Sequence, residues 1–155
     1  MTDPTKHSRW RPLRLVLAAM DDDIGRLYAD RGIDGVRPRY VMPLIRLGHS
    51  GPMTIRALAE DLDVTHSAMS QTVSALRREG LVTSVPGADA RTRQVRLTER
   101  AEELVPFLEA EWRATERAVA ELEEELPYAL SQAVRDIEAA LKKRSFRDRI
   151  EGHLE

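Results

Sequence analysis

Thr65, His66, Ser67, Ser70, Gln71, Ser74 and Arg78 share one run of the chain, separated by Met69, Val73 and Leu76. Spacings of three and four put the three apolar residues on one stripe of a helix and leave the polar groups on the opposite side. Hydroxyls and a carboxamide in such a place do hydrogen-bonding chemistry. They are short enough to let a helix approach a groove floor and reach base edges or phosphates, and a glutamine can pair bidentately with adenine. His66, early in the helix, reads as a phosphate or base contact. A solvent-facing helix has a similar polar side, so this pattern alone leaves both readings open.

The next stretch decides between them. Leu81 to Val85 is partly β-branched and apolar, and Pro86-Gly87-Ala88-Asp89-Ala90 is rich in turn formers. Arg91 to Leu97 then alternates, Gln94 and Arg96 against Val95 and Leu97. The pattern predicts a β-hairpin directly after the helix, with Arg91 at the tip and Arg93 on the return strand. Guanidinium groups on a thin tip suit a narrow minor groove, whose negative potential attracts them. Asp89 is placed to orient Arg91 by a charge-assisted hydrogen bond, and an aspartate there is also an ordinary turn former.

The elements that must hold these groups are legible on either side. Thr54 is an N-cap for a helix from Ile55 to Leu62, Leu62-Asp63-Val64 makes a turn, Thr65 caps the polar-faced helix and Gly80 stops it. Upstream, Leu13, Val16, Leu17, Met20, Ile24, Leu27 and Tyr28 predict an amphipathic helix from Pro12 to near Gly32, with Asp21, Asp22 and Asp23 on its polar side. A second helix starts at Pro38 and stops at Gly48, and Pro43 inside it implies a kink or a late start. His49-Ser50-Gly51-Pro52 reads as loop. Downstream, Thr98 caps a long helix that Pro106 should bend and Pro127 should end. Leu130, Val134, Ile137 and Leu141 follow in a last helix, whose apolar stripe Phe146 and Ile150 extend.

The expected fold class is mainly α with a small β-hairpin wing (α+β). It is a winged helix-turn-helix over residues 36–98, flanked by an N-terminal dimerisation helix over 1–35 and C-terminal dimerisation helices over 99–155, intertwined as one unit. The flanking helices carry more apolar surface than one small winged domain can cover, so a homodimer is expected.

Composition narrows the function further. The 155 residues are 42% hydrophobic and 32% charged, with a net charge of −2. That sum argues against a polyanion partner, but its distribution does not. Between Arg77 and Arg100 six arginines face three acids, whereas between Glu102 and Glu125 nine glutamates face two arginines. The basic segment coincides with the hairpin. No apolar run approaches the roughly 20 residues that span a bilayer, and residues 1–10 lack the pattern of a signal peptide. A cytoplasmic, non-membrane protein is expected. With no cysteine, thiolate nucleophiles, disulfides and cysteine metal sites are excluded. His7, His49, His66 and His153 are scattered, so no metal or other cofactor is expected. No serine sits on a strand-to-helix elbow and no glycine-rich phosphate loop exists, so no enzyme activity is expected. Lys142-Lys143-Arg144 complements a helix C-terminus and receives no other role.

Thr54-Ile55-Arg56-Ala57-Leu58-Ala59, Ser70 to Leu76 with Gly80-Leu81-Val82, and Asp89-Ala90-Arg91 followed by Val95-Arg96-Leu97-Thr98 together resemble the MarR-type winged-helix transcription regulators. The resemblance implies a homodimer on a pseudo-palindromic operator, with the recognition helix in the major groove, Arg91 in the minor groove and Asp89 as its orienter. The chain departs from the family pattern at Gln71, where relatives often carry arginine, and at Ala101, where a glycine is usual. Base preference therefore does not carry over. Oxidant sensing through cysteine, known in some members, is excluded here. Tyr28, Tyr40, His49 and Trp112 are candidates to line a pocket for a small-molecule effector, as in ligand-responsive relatives, although aromatics on amphipathic helices are more often core.

The sequence thus points to a dimeric regulator that binds specific double-stranded DNA, a repressor relieved by a small ligand. The alternative is a winged-helix module that docks an acidic protein partner. The wing favours the first, since protein docking has no need of Arg91 and Arg93 on a protruding hairpin.

Overall fold

A computed structural model describes residues 3–89 and 91–154. After a short 3-10 turn at Pro4–Lys6 come α1 (Arg11–Asp30), α2 (Pro38–Ser50), α3 (Ile55–Asp61) and α4 (His66–Arg78). The hairpin β1 (Val82–Pro86) and β2 (Arg93–Leu97) follows, then α5 (Glu99–Glu124), α6 (Leu130–Lys143) and α7 (Phe146–Glu151). The chain forms two compact units, Met1–Glu109 and Ala110–Glu155. No helix among the described residues is long and apolar enough to cross a membrane.

The first unit is built around the helix-turn-helix. Thr54 and Thr65 cap α3 and α4 by accepting from the backbone N–H groups of Ala57 and Ala68, which satisfies amide donors that a helix start leaves open. Met69, Val73 and Leu76 are buried, joined by Ala75, and they meet Leu44, Leu58, Leu81 and Val95 in one core. Burying a side chain such as Leu58 or Leu76 contributes about 1.5–3 kcal/mol each. Gly80, with φ of +68°, ends α4 as its position requires. The strands pair antiparallel, Val82 opposite Leu97 and Pro86 opposite Arg93. Met53 adds a third partner, exchanging two backbone hydrogen bonds with Val95 at 3.0 and 2.7 Å. The wing is thereby sewn to the segment that leads into α3.

Several boundaries differ from expectation. Helix α2 starts at Pro38 and runs through Pro43 to Ser50, two residues beyond Gly48. A Cβ on Gly48 would lie 3.1 Å from Val105 Cγ1, so this glycine permits close approach to α5. Gly51, with φ of +72°, supplies the stop. Pro86 belongs to the first strand, whereas Arg91 and Thr92 stay in the turn because the Gly87 N–H donates to the Thr92 carbonyl and the Thr92 N–H to that of Asp89. Helix α5 ends at Glu124, three residues before Pro127, and Phe146 and Ile150 lie on the separate helix α7.

In the second unit α6 starts without a side-chain cap of its own. Glu123 takes that part: its carboxylate accepts from the Ser131 N–H at 2.6 Å and from the Ser131 hydroxyl at 2.8 Å. Those bonds hold the Glu123 carboxyl below its ordinary range. Neither α6 nor α7 has a buried residue, and Val134, Ile137, Leu141 and Phe146 remain exposed.

Candidate nucleic-acid interface

Helix α4 presents the residues singled out from the sequence on its outer side. Ser67, Gln71, Ser74 and Arg78 are exposed, Ser70 is half-buried, and Thr65 stands at the cap. Ser70, Gln71, Ser74 and Arg78 line a cleft of about 570 Å³ together with Arg39, from the first turn of α2. His66 lies elsewhere, with Arg56 and Glu60 around a separate cleft of about 470 Å³. The polar face therefore divides into a Gln71 side and a His66 side.

The wing projects beyond this helix. Arg91 is exposed, and its guanidinium has no partner among the described residues. Asp89 does orient this segment, but through the backbone: its Oδ1 accepts from the Arg91 N–H at 3.0 Å, and its carbonyl accepts from the Thr92 hydroxyl at 2.8 Å. The expected carboxylate–guanidinium bond is thus replaced by a side-chain turn that shapes the tip. Ala90 lies outside the described residues. Arg93 sits at the base of the turn and reaches across the hairpin, donating to the Ser84 hydroxyl at 3.3 Å. Arg77 donates to the same hydroxyl at 3.4 Å, so the last turn of α4 and the wing share one acceptor.

Two contacts were not visible in the sequence. Arg100, counted there with the basic wing segment, donates to the carbonyls of Glu79 at 2.7 Å and Asp34 at 2.5 Å. Thr98 donates through its hydroxyl to the Gly80 carbonyl at 2.8 Å. Together they bind the start of α5 to the exit of α4. The only advance signal was Thr98 as a cap, and it does fulfil that role toward Ala101.

The aromatic candidates for an effector pocket fall in different settings. Tyr28 and Tyr40 are core residues, and the Tyr28 ring meets Phe107 edge-on, their centroids 6.2 Å apart. His49 is exposed near the end of α2, its Nε2 2.7 Å from Glu109 Oε1. Trp112 belongs to the second unit. No group of acids and histidines that could hold a metal ion exists among the described residues.

Two short helices, a capped polar-faced second helix and an arginine-tipped hairpin define a winged helix-turn-helix, a module that places a helix in one groove and a wing beside it. The model of the MarR family matches residues 34–92, the stretch that runs from the segment ahead of α2 to the wing. Solved structures share the fold over most of the chain. The S. aureus MepR–DNA complex is 18% identical with a TM-score of 0.64, covering 88% of this chain and 98% of that one. The transcriptional regulator SlyA is 15% identical with a TM-score of 0.61, covering 93% and 99%. The heme sensor protein PefR from Streptococcus agalactiae, in complex with heme, is 16% identical with a TM-score of 0.59, covering 96% and 98%. No curated protein matches the sequence.

Proposed function

We propose that this chain acts in the cytoplasm as a homodimer that binds a pseudo-palindromic operator and represses transcription until a small molecule releases it. The observation that carries the DNA reading is the exposed Arg91 guanidinium at the wing tip, without a partner among the described residues, in a chain whose α4 has an exposed polar side. In this reading Gln71 and the serines beside it meet base edges in the major groove, and Arg91 enters the minor groove. The exposed apolar residues of α1, α6 and α7 support the dimer, since Leu15, Val16, Ile137 and Leu141 would otherwise face water. The fold accommodates a ligand in PefR, which is solved with heme. That precedent supports an effector here, for which Tyr28, Tyr40 and His49 are candidates in the first unit and Trp112 in the second.

Selection of bound duplexes from a random pool tests this reading. A two-fold symmetric motif is expected, with half-site centres about 10–10.5 base pairs apart. Gln71→Ala should then cost about 1–3 kcal/mol at one position of each half-site and little elsewhere. A pool that shows no enrichment would overturn the regulator reading in favour of a module that docks an acidic protein.

A further inference from the structure

We infer that Arg39, on α2 ahead of the α3–α4 pair, takes a backbone phosphate of the bound duplex and so fixes the register of α4 in the major groove. The inference deepens the DNA-binding reading but stands on different residues. Arg39 and Arg78 line the same cleft as Gln71 and Ser74, and no acidic side chain lines it among the described residues. Several other arginines of the first unit are engaged: Arg46 with Asp61, Arg56 with Glu60, Arg77 and Arg93 with Ser84, Arg100 with two carbonyls. Arg39 and Arg78 have no carboxylate partner among the described residues. Arg39 also borders a second cleft that holds Asp21 and Asp22 of α1, yet it pairs with neither.

The Arg39 side chain is nevertheless held in place. Its guanidinium lies over the Tyr40 ring, 5.1 Å from the centroid, and donates to the Tyr40 hydroxyl at 3.1 Å, while the Tyr40 ring is fixed in the core. These contacts use the ring-facing side of the guanidinium and one N–H of its Nη2, and its other N–H groups can donate to phosphate oxygens. A side chain already ordered loses less entropy on binding. A phosphodiester suits the cleft better than a free anion because one wall is the reading face itself. A strand whose bases meet Gln71 brings its own phosphates to that wall.

The test measures affinity of the full-length protein for a selected duplex across a salt series. Loss of one phosphate contact in Arg39→Ala should make the slope of log K against log salt shallower by about 0.9 per contact. Affinity at fixed salt should fall roughly tenfold, equally for every base substitution in the site. Arg39→Lys, which keeps the charge, should restore the slope and part of the affinity. Replacing single phosphates by neutral methylphosphonates should reveal one position per half-site at which wild type and Arg39→Ala bind alike. An unchanged slope in Arg39→Ala, or no such position, overturns the inference. If Gln71→Ala loses its base preference while Arg39→Ala keeps the wild-type slope, DNA reading stands and only the Arg39 role falls. If wild type binds no duplex, both fall. An Arg39→Ala protein that keeps its slope but no longer binds inorganic phosphate would make the cleft a small-anion site and overturn the phosphodiester assignment.

Discussion

The Arg100 guanidinium donates to the Glu79 carbonyl at 2.7 Å, so the first turn of α5 is fastened to the residue that closes the recognition helix. Thr98 repeats the link one residue further, at Gly80. A displacement of α5 therefore reaches α4 through hydrogen bonds rather than through loose packing. The same guanidinium holds the Asp34 carbonyl ahead of α2. Three segments meet on one side chain, so the start of α5, the end of α4 and the segment ahead of α2 are held together.

Arg100→Ala removes charge-assisted bonds to two carbonyls and should cost about 1–3 kcal/mol of stability. If the link also sets the angle of α4, operator affinity should fall further than the stability change accounts for. Chemical denaturation and duplex titration on the same protein check both. Arg100→Ala with wild-type affinity would confine the link to folding.

The wing yields a sharper test. Because Asp89 acts through the Arg91 N–H, Asp89→Asn keeps an acceptor oxygen and should preserve DNA binding nearly unchanged. Asp89→Ala removes the acceptor and should loosen the tip, at a cost of about 0.5–1.5 kcal/mol. Arg91→Ala should weaken binding most on sites with A·T-rich flanks, where the minor groove is narrow. An Asp89→Asn variant that binds as poorly as Arg91→Ala would restore the direct carboxylate–guanidinium contact.

Much of this architecture was readable because it rests on local chemistry. Thr54, Thr65, Thr98 and Gly80 all perform the cap or stop that their types imply. The Met69–Val73–Leu76 stripe is buried as its spacing requires. What escaped was contact over distance. Nothing in the local pattern around Arg100 says that it will find carbonyls 21 and 66 residues away, and its formal charge reads the same whether it faces DNA or protein. Gly48 misled for the same reason, since Val105 makes it a packing residue and not a stop. Arg39 was invisible as a site residue because it joins α4 only through the cleft.

Glu123 gives the second unit an acid-sensitive joint. Bonds from the Ser131 N–H and hydroxyl hold its carboxyl below the ordinary value of 4.5. A depressed folded value stabilises the fold above the ordinary carboxylate range, and that contribution fades as pH falls through the lowered value. The start of α6 should therefore fray at acid pH before its middle does. The protection of the Ser131 amide against hydrogen exchange, taken relative to the intrinsic rate at each pH while pH is lowered from neutral to below 4.5, should fall ahead of that of amides near Ile137. In Glu123→Ala the same amide should exchange quickly at neutral pH as well. A Ser131 amide equally protected in both proteins would remove Glu123 from the capping role.

The terminal helices carry the last prediction, because their apolar residues need a partner that the chain's own core does not supply. On α6, Leu130, Val134, Ile137 and Leu141 recur at helical spacing, each 38–48% exposed. A stripe that long is costly in water, at about 25 cal/mol per Å² of apolar surface, and a second copy is the natural cover. Sedimentation of the full chain should give a dimer. Val134→Asp combined with Ile137→Asp places charge on that stripe and should shift the equilibrium to monomer, with α6 still helical by circular dichroism. A truncation ending before Pro127 should do the same. Since a two-fold operator needs two recognition helices at a fixed separation, the monomeric variants should bind single half-sites only and lose the steep affinity for the full site. If both variants remain dimers, α6 and α7 are not needed for the interface, and the separation of the two α4 helices is set by other parts of the chain.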